Sequence, residues 1–310
     1  MSLHLVIGYG PAGAATARAL ADEGHQVRVA SRTARPAEPG IEFVQVDAAD
    51  AGRLTEAAKG ASVLYQCAAP PYPRWAQDFP ALAAGVTAAA EASGAVLVLL
   101  SNLYGYGPVE RPMTEDLPLA ATGRKGRTRA QLWQDALGLH QQGRIRVVEV
   151  RASDFFGPGV TDGGHLAGRA VPALLRGRTV RVLGDPAMPH SWTYLPDVAR
   201  TLIRLGGAES AWGRPWHVPN VPPQTIRAMV TKLSEAAGTP AVEVRRMPPA
   251  LVRVLGAFSP FIRELGEVGY QFERPFIVDS TACTTRFELT PTPLPDQVEA
   301  TVRWWRERAK

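Results

Sequence analysis

Residues 3–13 read LHLVIGYGPAG. The segment 3–7 is apolar apart from one histidine and predicts a buried strand, and the alanine-rich segment 12–23 predicts a helix. The turn between them carries a Gly-x-Gly-x-x-Gly pattern. In such a unit the first glycine permits a tight turn, the second lets the backbone approach a diphosphate, and the third lets the helix pack closely on its strand. The stretch therefore predicts a dinucleotide-binding loop made of Gly8, Gly10, Pro11, Ala12 and Gly13.

The rest of the first half repeats this alternation of strand and helix. Strands are predicted over 26–31, 41–46, 62–67, 95–101 and 144–151, and helices over 50–59, 76–93 and 124–142. This alternation is typical of a parallel, doubly wound α/β sheet of the Rossmann type. After about residue 153 the elements become shorter and are interrupted by proline and glycine. We therefore predict a Rossmann domain that binds NADP(H) over 1–153, to which about 195–218 return, and a smaller, mainly substrate-binding lobe over 154–310.

Composition bounds the class of protein. The chain has 310 residues, of which 45% are hydrophobic and 20% charged, values typical of a folded globular protein. Its two cysteines have no metal-ligand spacing, and no apolar run reaches the roughly 18 residues of a membrane span. The net charge is +5, but the basic residues are scattered apart from a cluster at 124–129. We expect a cytoplasmic monomer or homodimer that binds no membrane and no nucleic acid.

The end of the second predicted strand bears on which nicotinamide cofactor is bound. NAD-selective sites carry an acidic residue there, which holds the ribose 2′-hydroxyl. This chain has Ser31 and Arg32 instead, with Arg35 nearby. A hydroxyl and positive charge suit a 2′-phosphate, so the pattern favours NADPH/NADP+ over NAD(H); the alternative is that Arg32 is a solvated loop charge.

Further cofactor contacts are predicted where later strands end. Asp47 and Ala48 follow the third strand and are placed to meet adenine, although Asp47 could instead cap a helix. Small residues end the fourth strand and allow close approach of the cofactor: Cys67, Ala68 and Ala69. Cys67 is interpreted as a packing residue and not as a nucleophile, because no nearby group would favour its thiolate. Ser153, after the sixth strand, completes the predicted cofactor contacts.

Several segments resemble the extended short-chain dehydrogenases/reductases of the NAD-dependent epimerase/dehydratase family. They are LLSNLYGYGP at 99–108, RASDFFGPG at 151–159, WTYLPDVA at 192–199 and TVRWW at 301–305. The resemblance extends over essentially the whole chain. It implies a Rossmann fold, a nicotinamide cofactor and oxidoreductase chemistry.

The resemblance also locates the family's catalytic positions. They are a serine or threonine after the fifth strand and a Tyr-x-x-x-Lys pair on the next long helix. Here the serine position falls on Asn102, with Ser101 one residue earlier, whereas Lys125 replaces the tyrosine and Arg129 replaces the lysine. The family's proton donor is therefore missing, as in atypical members that reduce angucyclinone ketones in antibiotic biosynthesis. Ser101, Asn102, Lys125 and Arg129 are the catalytic candidates.

The substrate-binding segments depart from the nucleotide-sugar enzymes of the family. The arginine that clamps a diphosphate in those enzymes is absent from 190–194, which read HSWTY. His190 could act as an acid or as a structural hydrogen-bond donor. Aromatic residues are frequent in these regions, and although many belong to the core, we expect four to favour an aromatic substrate: Tyr104, Phe156, Trp192 and Tyr194.

These features predict an NADPH-dependent ketoreductase that acts on an aromatic, polyketide-type ketone. The proton would come from Lys125, from water held by Ser101 or Asn102, or from a hydroxyl of the substrate. Two alternatives stay open. One is a nucleotide-sugar epimerase or dehydratase, and the other is a non-catalytic NADP(H) sensor.

Overall fold

The computed structural model describes residues 2–161, 164–168 and 170–309. Its strands are β1 Leu3–Ile7, β2 Gln26–Ser31, β3 Ile41–Gln45, β4 Ala61–Gln66, β5 Val96–Asn102, β6 Arg146–Ala152, β7 Phe155–Phe156, β8 Val180–Val182, β9 Pro189–His190, β10 Thr193–Tyr194, β11 Pro215–His217, β12 Gln224–Thr225 and β13 Val244–Arg246. Its α-helices are α1 Pro11–Asp22, α2 Ala51–Ala58, α3 Trp75–Ser93, α4 Arg124–Gln141, α5 Val171–Leu175, α6 Leu195–Gly206, α7 Ile226–Ala236, α8 Pro249–Phe258, α9 Pro260–Leu265, α10 Thr281–Phe287 and α11 Leu294–Ala309. Short 3₁₀ turns occur at Tyr72–Arg74, Tyr104–Tyr106, Glu209–Ala211 and Gly266–Phe272.

Seven strands form one sheet in the order β11-β6-β5-β4-β1-β2-β3. Every neighbouring pair in it is parallel. The direction of winding reverses between β1 and β4, and in open α/β sheets ligands bind beyond the carboxyl ends of the strands at such a point. The predicted doubly wound Rossmann fold is confirmed.

The apolar runs of the sequence explain the sheet. Leu5, Ile7, Leu64 and Leu97, from the central strands, are completely buried in one core. Strands covered on both faces must be apolar throughout, which is why these runs lack alternation with polar residues. The predicted strand bounds agree with β1 and β2 at every residue, and the other predicted elements of this sheet end within two residues of the observed ones.

The chain divides into two compact units. Unit 1 contains 1–107, 118–152 and 198–218, and unit 2 contains 108–117, 153–197 and 219–310. Residues 108–117 were predicted as part of the Rossmann domain, but they belong to unit 2. There Met113 accepts a backbone hydrogen bond from Asp279 and donates one to Ile277, so the segment is held by that unit's chain.

Unit 2 has its own apolar core and several short pairs of strands. Helices α5, α7 and α11 supply Leu174, Met229 and Val302 to this core, where each is almost fully buried. The strands described in this unit are two or three residues long, and they pair as β7 with β10, β8 with β13, and β9 with β12. Segments this short leave no periodicity that a sequence analysis can recognise.

Candidate functional site

The glycine-rich turn between β1 and α1 is held by close backbone contacts. Gly8 has φ = +93°, and a Cβ built on it would lie 2.7 Å from the Cα of Ala68. A Cβ on Gly13 would lie 2.0 Å from the carbonyl oxygen of Gly8. Both positions therefore exclude a side chain, one through conformation and contact and the other through helix packing.

Gly10, in contrast, faces open space, because no atom lies within 4 Å of a Cβ built on it. It is the N-cap of α1, no side chain caps this end, and Pro11 occupies the first turn. The first-turn N–H groups and the positive end of the helix dipole thus face a space that a diphosphate can enter. The first turn also lacks acidic residues that would repel it. This end of α1 fits a nicotinamide dinucleotide.

The segment that follows β2 makes contacts with Tyr9 of the glycine-rich turn. Ser31 is buried and Arg32 is exposed. The guanidinium of Arg35 lies 5.6 Å from the ring centroid of Tyr9, and the Tyr9 hydroxyl donates to Glu38 at 2.6 Å. The sequence analysis missed Glu38.

Arg18 also bonds Glu38, at 2.9 Å, and this contact together with the Tyr9 hydrogen bond holds the pKa of that carboxyl below its usual range. Glu38 also interacts electrostatically with Arg35, but Arg18 and the segment 32–38 together carry three arginines and one acid, so the end of β2 keeps an excess of positive charge.

The ends of β3 and β4 carry the remaining predicted contacts of unit 1. The Asp47 carboxylate accepts a hydrogen bond from the backbone N–H of Ala49 at 3.0 Å and so holds the turn before α2. Ala48 is buried, Ala69 is exposed, and Ala68 packs against the Gly8 turn. Burial raises the pKa of the Cys67 thiol to about 12, which agrees with a packing residue.

The end of β5 places its two polar residues differently. The side-chain oxygen of Asn102 accepts a hydrogen bond from the backbone N–H of Tyr104 at 3.1 Å. The amide nitrogen of the same side chain is then the group that can donate a hydrogen bond. Ser101 is buried and borders an internal cavity of about 40 Å³ with Gln66, Arg129 and Glu149. Its hydroxyl therefore lies beside the core under α4.

Lys125 and Arg129, one helical turn apart on α4, are stacked between aromatic rings. The Lys125 ammonium lies 4.3 Å from the ring centroid of Tyr72 and 5.9 Å from that of Trp75. The Arg129 guanidinium lies 4.6 Å from Trp75 and 4.5 Å from Phe79. The cations of α4 alternate with the rings of the segment 72–79. The electron-rich ring faces attract the cations and so partly offset the loss of their hydration. We call these five side chains the cation-aromatic ladder.

Both cations of the ladder are buried. Lys125 is only 1% exposed, and its ammonium donates to the backbone carbonyl of Tyr72 at 3.1 Å. Desolvation lowers the pKa of Arg129 to about 10, and the negative charge of Glu149 opposes this shift. The Arg129 Nε atom is buried and has no hydrogen-bond partner among the described residues. Lys125 and Arg129, which were predicted to occupy the positions of the family's Tyr and Lys, are therefore held inside unit 1.

A buried polar network continues from Glu149 along β6. Glu149 accepts from Arg151 at 2.7 and 2.6 Å, and both side chains are almost completely buried. Arg151 also donates to the Tyr106 hydroxyl at 2.6 Å, and that hydroxyl lies 2.7 Å from Nε2 of His217. Sequence reasoning missed this network, although the charged residues Glu149 and Arg151 inside an otherwise apolar stretch were its signal.

In unit 2, three of the predicted substrate-binding rings are part of the core. Phe156, Trp192 and Tyr194 are 0%, 2% and 6% exposed and pack in one apolar cluster. The Trp192 indole N–H also donates to the carbonyl of Gln224 at 2.9 Å. Buried rings at such positions stabilise the core, and the contact of these three rings with a substrate stays a prediction. Tyr104, in unit 1, is half-buried.

Ser153 and His190 belong to a second polar cluster of unit 2. The backbone N–H of Ser153 donates to the Thr193 hydroxyl at 3.0 Å, and Ser153 Oγ lies 3.4 Å from His190 Nε2. The same ring nitrogen bonds Asp154 at 3.0 Å, while Nδ1 faces the carbonyl of Gln271 at 3.3 Å. Serine and aspartate thus share one nitrogen, so this is not the arrangement of a Ser-His-Asp triad, in which they bond opposite nitrogens.

Comparison with known proteins identifies the family. The model of the "NAD dependent epimerase/dehydratase family" matches residues 4–214, more than half of the chain. The chain belongs to the NAD-dependent epimerase/dehydratase family. It is therefore a member of an enzyme family that uses a nicotinamide cofactor, and the resemblance inferred from the motifs is confirmed. Comparison with curated protein sequences gives no match.

Solved structures of epimerases share the fold of this family member. An epimerase from Methanothermobacter thermautotrophicus superposes with a TM-score of 0.80 at 17% identity, covering 99% of this chain and 93% of the other. UDP-glucose 4-epimerase from Thermotoga maritima, solved with UDP-glucose, gives 0.80 at 14% identity, with coverages of 99% and 100%. UDP-glucuronic acid 4-epimerase from Bacillus cereus, in complex with UDP-glucuronic acid and NAD, gives 0.77 at 16% identity, with coverages of 98% and 99%. At these identities the likeness shows the fold.

Neither a membrane-spanning helix nor a cluster of metal ligands is found in the part of the chain that the structure describes. Among residues 2–161, 164–168 and 170–309, no helix is long and apolar enough to cross a membrane. Within the same ranges, no three histidine, cysteine or acidic side chains come together as metal ligands would.

Proposed function

We propose that this protein is an NADP(H)-dependent oxidoreductase that reduces the ketone of an aromatic, polyketide-type small molecule. The observation that carries the proposal is the cation-aromatic ladder. In the motif alignment its Lys125 and Arg129 occupy the positions of the family's tyrosine and lysine. Epimerisation of a sugar needs an acid-base group at the tyrosine position, whereas ketone reduction needs a positioned hydride and one proton.

The preference for NADP(H) rests on the surroundings of β2. When bound, the nicotinamide supplies a hydride from its C4 atom. Arg32 is exposed, Arg35 lies beside Tyr9, and Arg18 compensates the nearby acid Glu38. Positive charge and the Ser31 hydroxyl together suit a 2′-phosphate.

The substrate side of the proposal rests on unit 1. Asn102 keeps its amide nitrogen as a donor at the carboxyl end of β5, and it is the residue we assign to polarise the carbonyl. Ser101, the residue before Asn102 in β5, is buried beside the cavity. Tyr72 and Tyr104 are half-buried rings at the same end of the sheet and suit a flat, apolar substrate. We further propose a cytoplasmic monomer or homodimer without nucleic-acid or membrane partners.

A titration followed by an absorbance assay tests this function. NADPH and NADH are titrated against the protein, and polycyclic aromatic ketones are then added while the reduced nicotinamide absorbance is followed. We expect tighter binding of NADPH and its consumption with at least one ketone. In the double variant Arg32→Ala/Arg35→Ala, the Kd for NADPH is expected to rise at least about 10-fold while that for NADH stays unchanged. Arg144→Ala, which removes an arginine paired with Glu91, is the control.

A nucleotide-sugar epimerase or dehydratase is the second candidate, because the structural neighbours include enzymes solved with UDP-glucose or UDP-glucuronic acid. The same protein is incubated with NAD+ and each of these sugars, and the sugar is analysed by nuclear magnetic resonance. If the sugar is converted and no ketone is reduced, the epimerase or dehydratase assignment replaces the reductase assignment. NADPH that binds tightly and is never consumed by either route would favour a sensor.

A further inference from the structure

The ladder brings a tyrosine from another part of the chain next to Lys125. Tyr72 lies in the 3₁₀ turn between β4 and α3, and its ring centroid is 4.3 Å from the Lys125 ammonium. The same ammonium donates to the backbone carbonyl of Tyr72 at 3.1 Å. A tyrosine and a lysine are thus in contact through the ring face and the backbone carbonyl of the tyrosine, and the lysine lies where the family's motif has tyrosine.

A second phenol meets the first. The Tyr72 hydroxyl donates to the Tyr104 hydroxyl over 3.5 Å. Tyr104 belongs to the turn after β5, so the two hydroxyls lie beyond the carboxyl ends of neighbouring strands. Ligands bind at this edge of an open α/β sheet.

Exposure distinguishes the phenols from the ammonium. Tyr72 and Tyr104 are half-buried, whereas Lys125 is 1% exposed. A substrate can therefore reach a phenol more readily than the ammonium. The rings are also fixed in place, because Trp75 packs edge-on against Tyr72 at 4.9 Å and in a stacked arrangement with Tyr104 at 5.9 Å.

The charged groups around Tyr72 favour its phenolate. Helix α4 presents Lys125 and, beyond Trp75, Arg129. In its own turn Arg74 is paired with Asp78, so these two charges compensate each other. The turn after β5 contributes Tyr104, which is neutral at pH 7 in its ordinary form. A buried ammonium beside a phenol stabilises the negative charge left when the phenol loses its proton.

We propose that Tyr72 is the proton donor of this enzyme, with Lys125 as the residue that positions it and stabilises its charge. The assignment rests on the proposed reductase function. In the reaction a hydride forms the new C–H bond at the carbonyl carbon, and the C=O π pair moves to the oxygen. That oxygen takes the proton of the Tyr72 hydroxyl, and the phenolate is reprotonated from water through the Tyr104 hydroxyl. The ketone is reduced, the nicotinamide is oxidised, and one proton is consumed.

Ultraviolet difference titration of tyrosine ionisation tests the pairing without any turnover. Wild type, Tyr72→Phe and Lys125→Met are compared, and Lys125→Met keeps the length of the side chain while removing its charge. We expect one tyrosine of the wild type to ionise at lower pH than the others. This ionisation step should be absent in Tyr72→Phe and should occur at higher pH in Lys125→Met. Identical titrations of wild type and Lys125→Met would overturn the pairing.

Kinetics test the proton transfer itself. Tyr72→Phe is expected to lower kcat for ketone reduction at least about 100-fold with unchanged NADPH binding, which is the range of general acid catalysis. Tyr270→Phe, which alters a tyrosine of unit 2, is the control and is expected to keep wild-type kcat. Wild-type kcat in Tyr72→Phe would overturn the proton-donor assignment alone. A wild type that binds NADPH but reduces no ketone would overturn the reductase function and with it this assignment.

Discussion

Gly13→Ala tests the packing of α1 on the cofactor turn. The new methyl group would lie 2.0 Å from the carbonyl oxygen of Gly8, which is backbone and cannot rotate away. Helix α1 must therefore move off β1, and overpacking of this kind costs about 1–3 kcal/mol. With an unfolding entropy of about 2.1 cal/mol/K per residue, this cost lowers the Tm of a chain of this length by about 2–5 °C.

Gly10→Ala is the matched variant in the same turn. Gly10 has φ = −78°, which alanine adopts without strain, and no atom lies within 4 Å of the added methyl group. We expect its stability to stay within about 1 kcal/mol of wild type, as for other changes at a helix N-cap. The methyl group nevertheless fills the space assigned to the diphosphate, so the Kd for NADPH is expected to rise at least about 10-fold.

Thermal unfolding by circular dichroism and titration by NADPH fluorescence separate the two effects. Gly13→Ala should lose stability and binding together, whereas Gly10→Ala should lose binding alone. If Gly10→Ala binds NADPH as tightly as wild type, the diphosphate does not approach this residue and the cofactor site is misplaced. A wild-type Tm in Gly13→Ala would refute the close packing of α1.

Other predictions concern buried groups. Glu149→Gln should lower the free energy of unfolding by about 3 kcal/mol in denaturant titrations, because Arg151 would lose its buried counter-ion; an unchanged value would show that the pair is solvated. Burial, and secondarily His25, lowers the pKa of His4 to about 4. Because the folded protein then binds fewer protons than the unfolded chain, stability should fall as pH drops from about 6.5 to 4, and His4→Gln should remove that part of the decline. Burial raises the pKa of both Cys67 and Cys283 to about 12, so a thiol reagent at pH 8 should label neither until the protein unfolds.

The Rossmann half of the fold could be predicted because its physical signals are local. Residues 3–13 combine a buried strand, a turn that needs glycine and a helix, and the later strands are apolar runs of ordinary length. Sequence also sufficed to predict a turn that requires glycine at Gly8 and Gly13, since the close backbone contacts at these two positions leave no room for a side chain.

The candidate site was less accessible to sequence reasoning, because contacts across long sequence separations decide it. Lys125 and Arg129 were recognised as unusual, but not the rings that hold them, which come from a turn and helix about 50 residues earlier. The spacing of Tyr72, Trp75 and Phe79, three and four residues apart, was the available signal for one aromatic face. The burial of Phe156 in unit 2 had no such signal, since an aromatic residue near a turn can belong to a core or to a pocket.

The most direct test of the account is transfer of deuterium from cofactor to substrate. The protein is supplied with NADPH carrying deuterium at C4, in each of its two stereochemical forms, and with an aromatic ketone, and the alcohol is analysed by mass spectrometry. We predict one deuterium on the carbinol carbon from one of the two labelled forms, with an equal amount of NADP+ formed. NADPH that binds and keeps its label, with no alcohol formed from any ketone, would contradict the account.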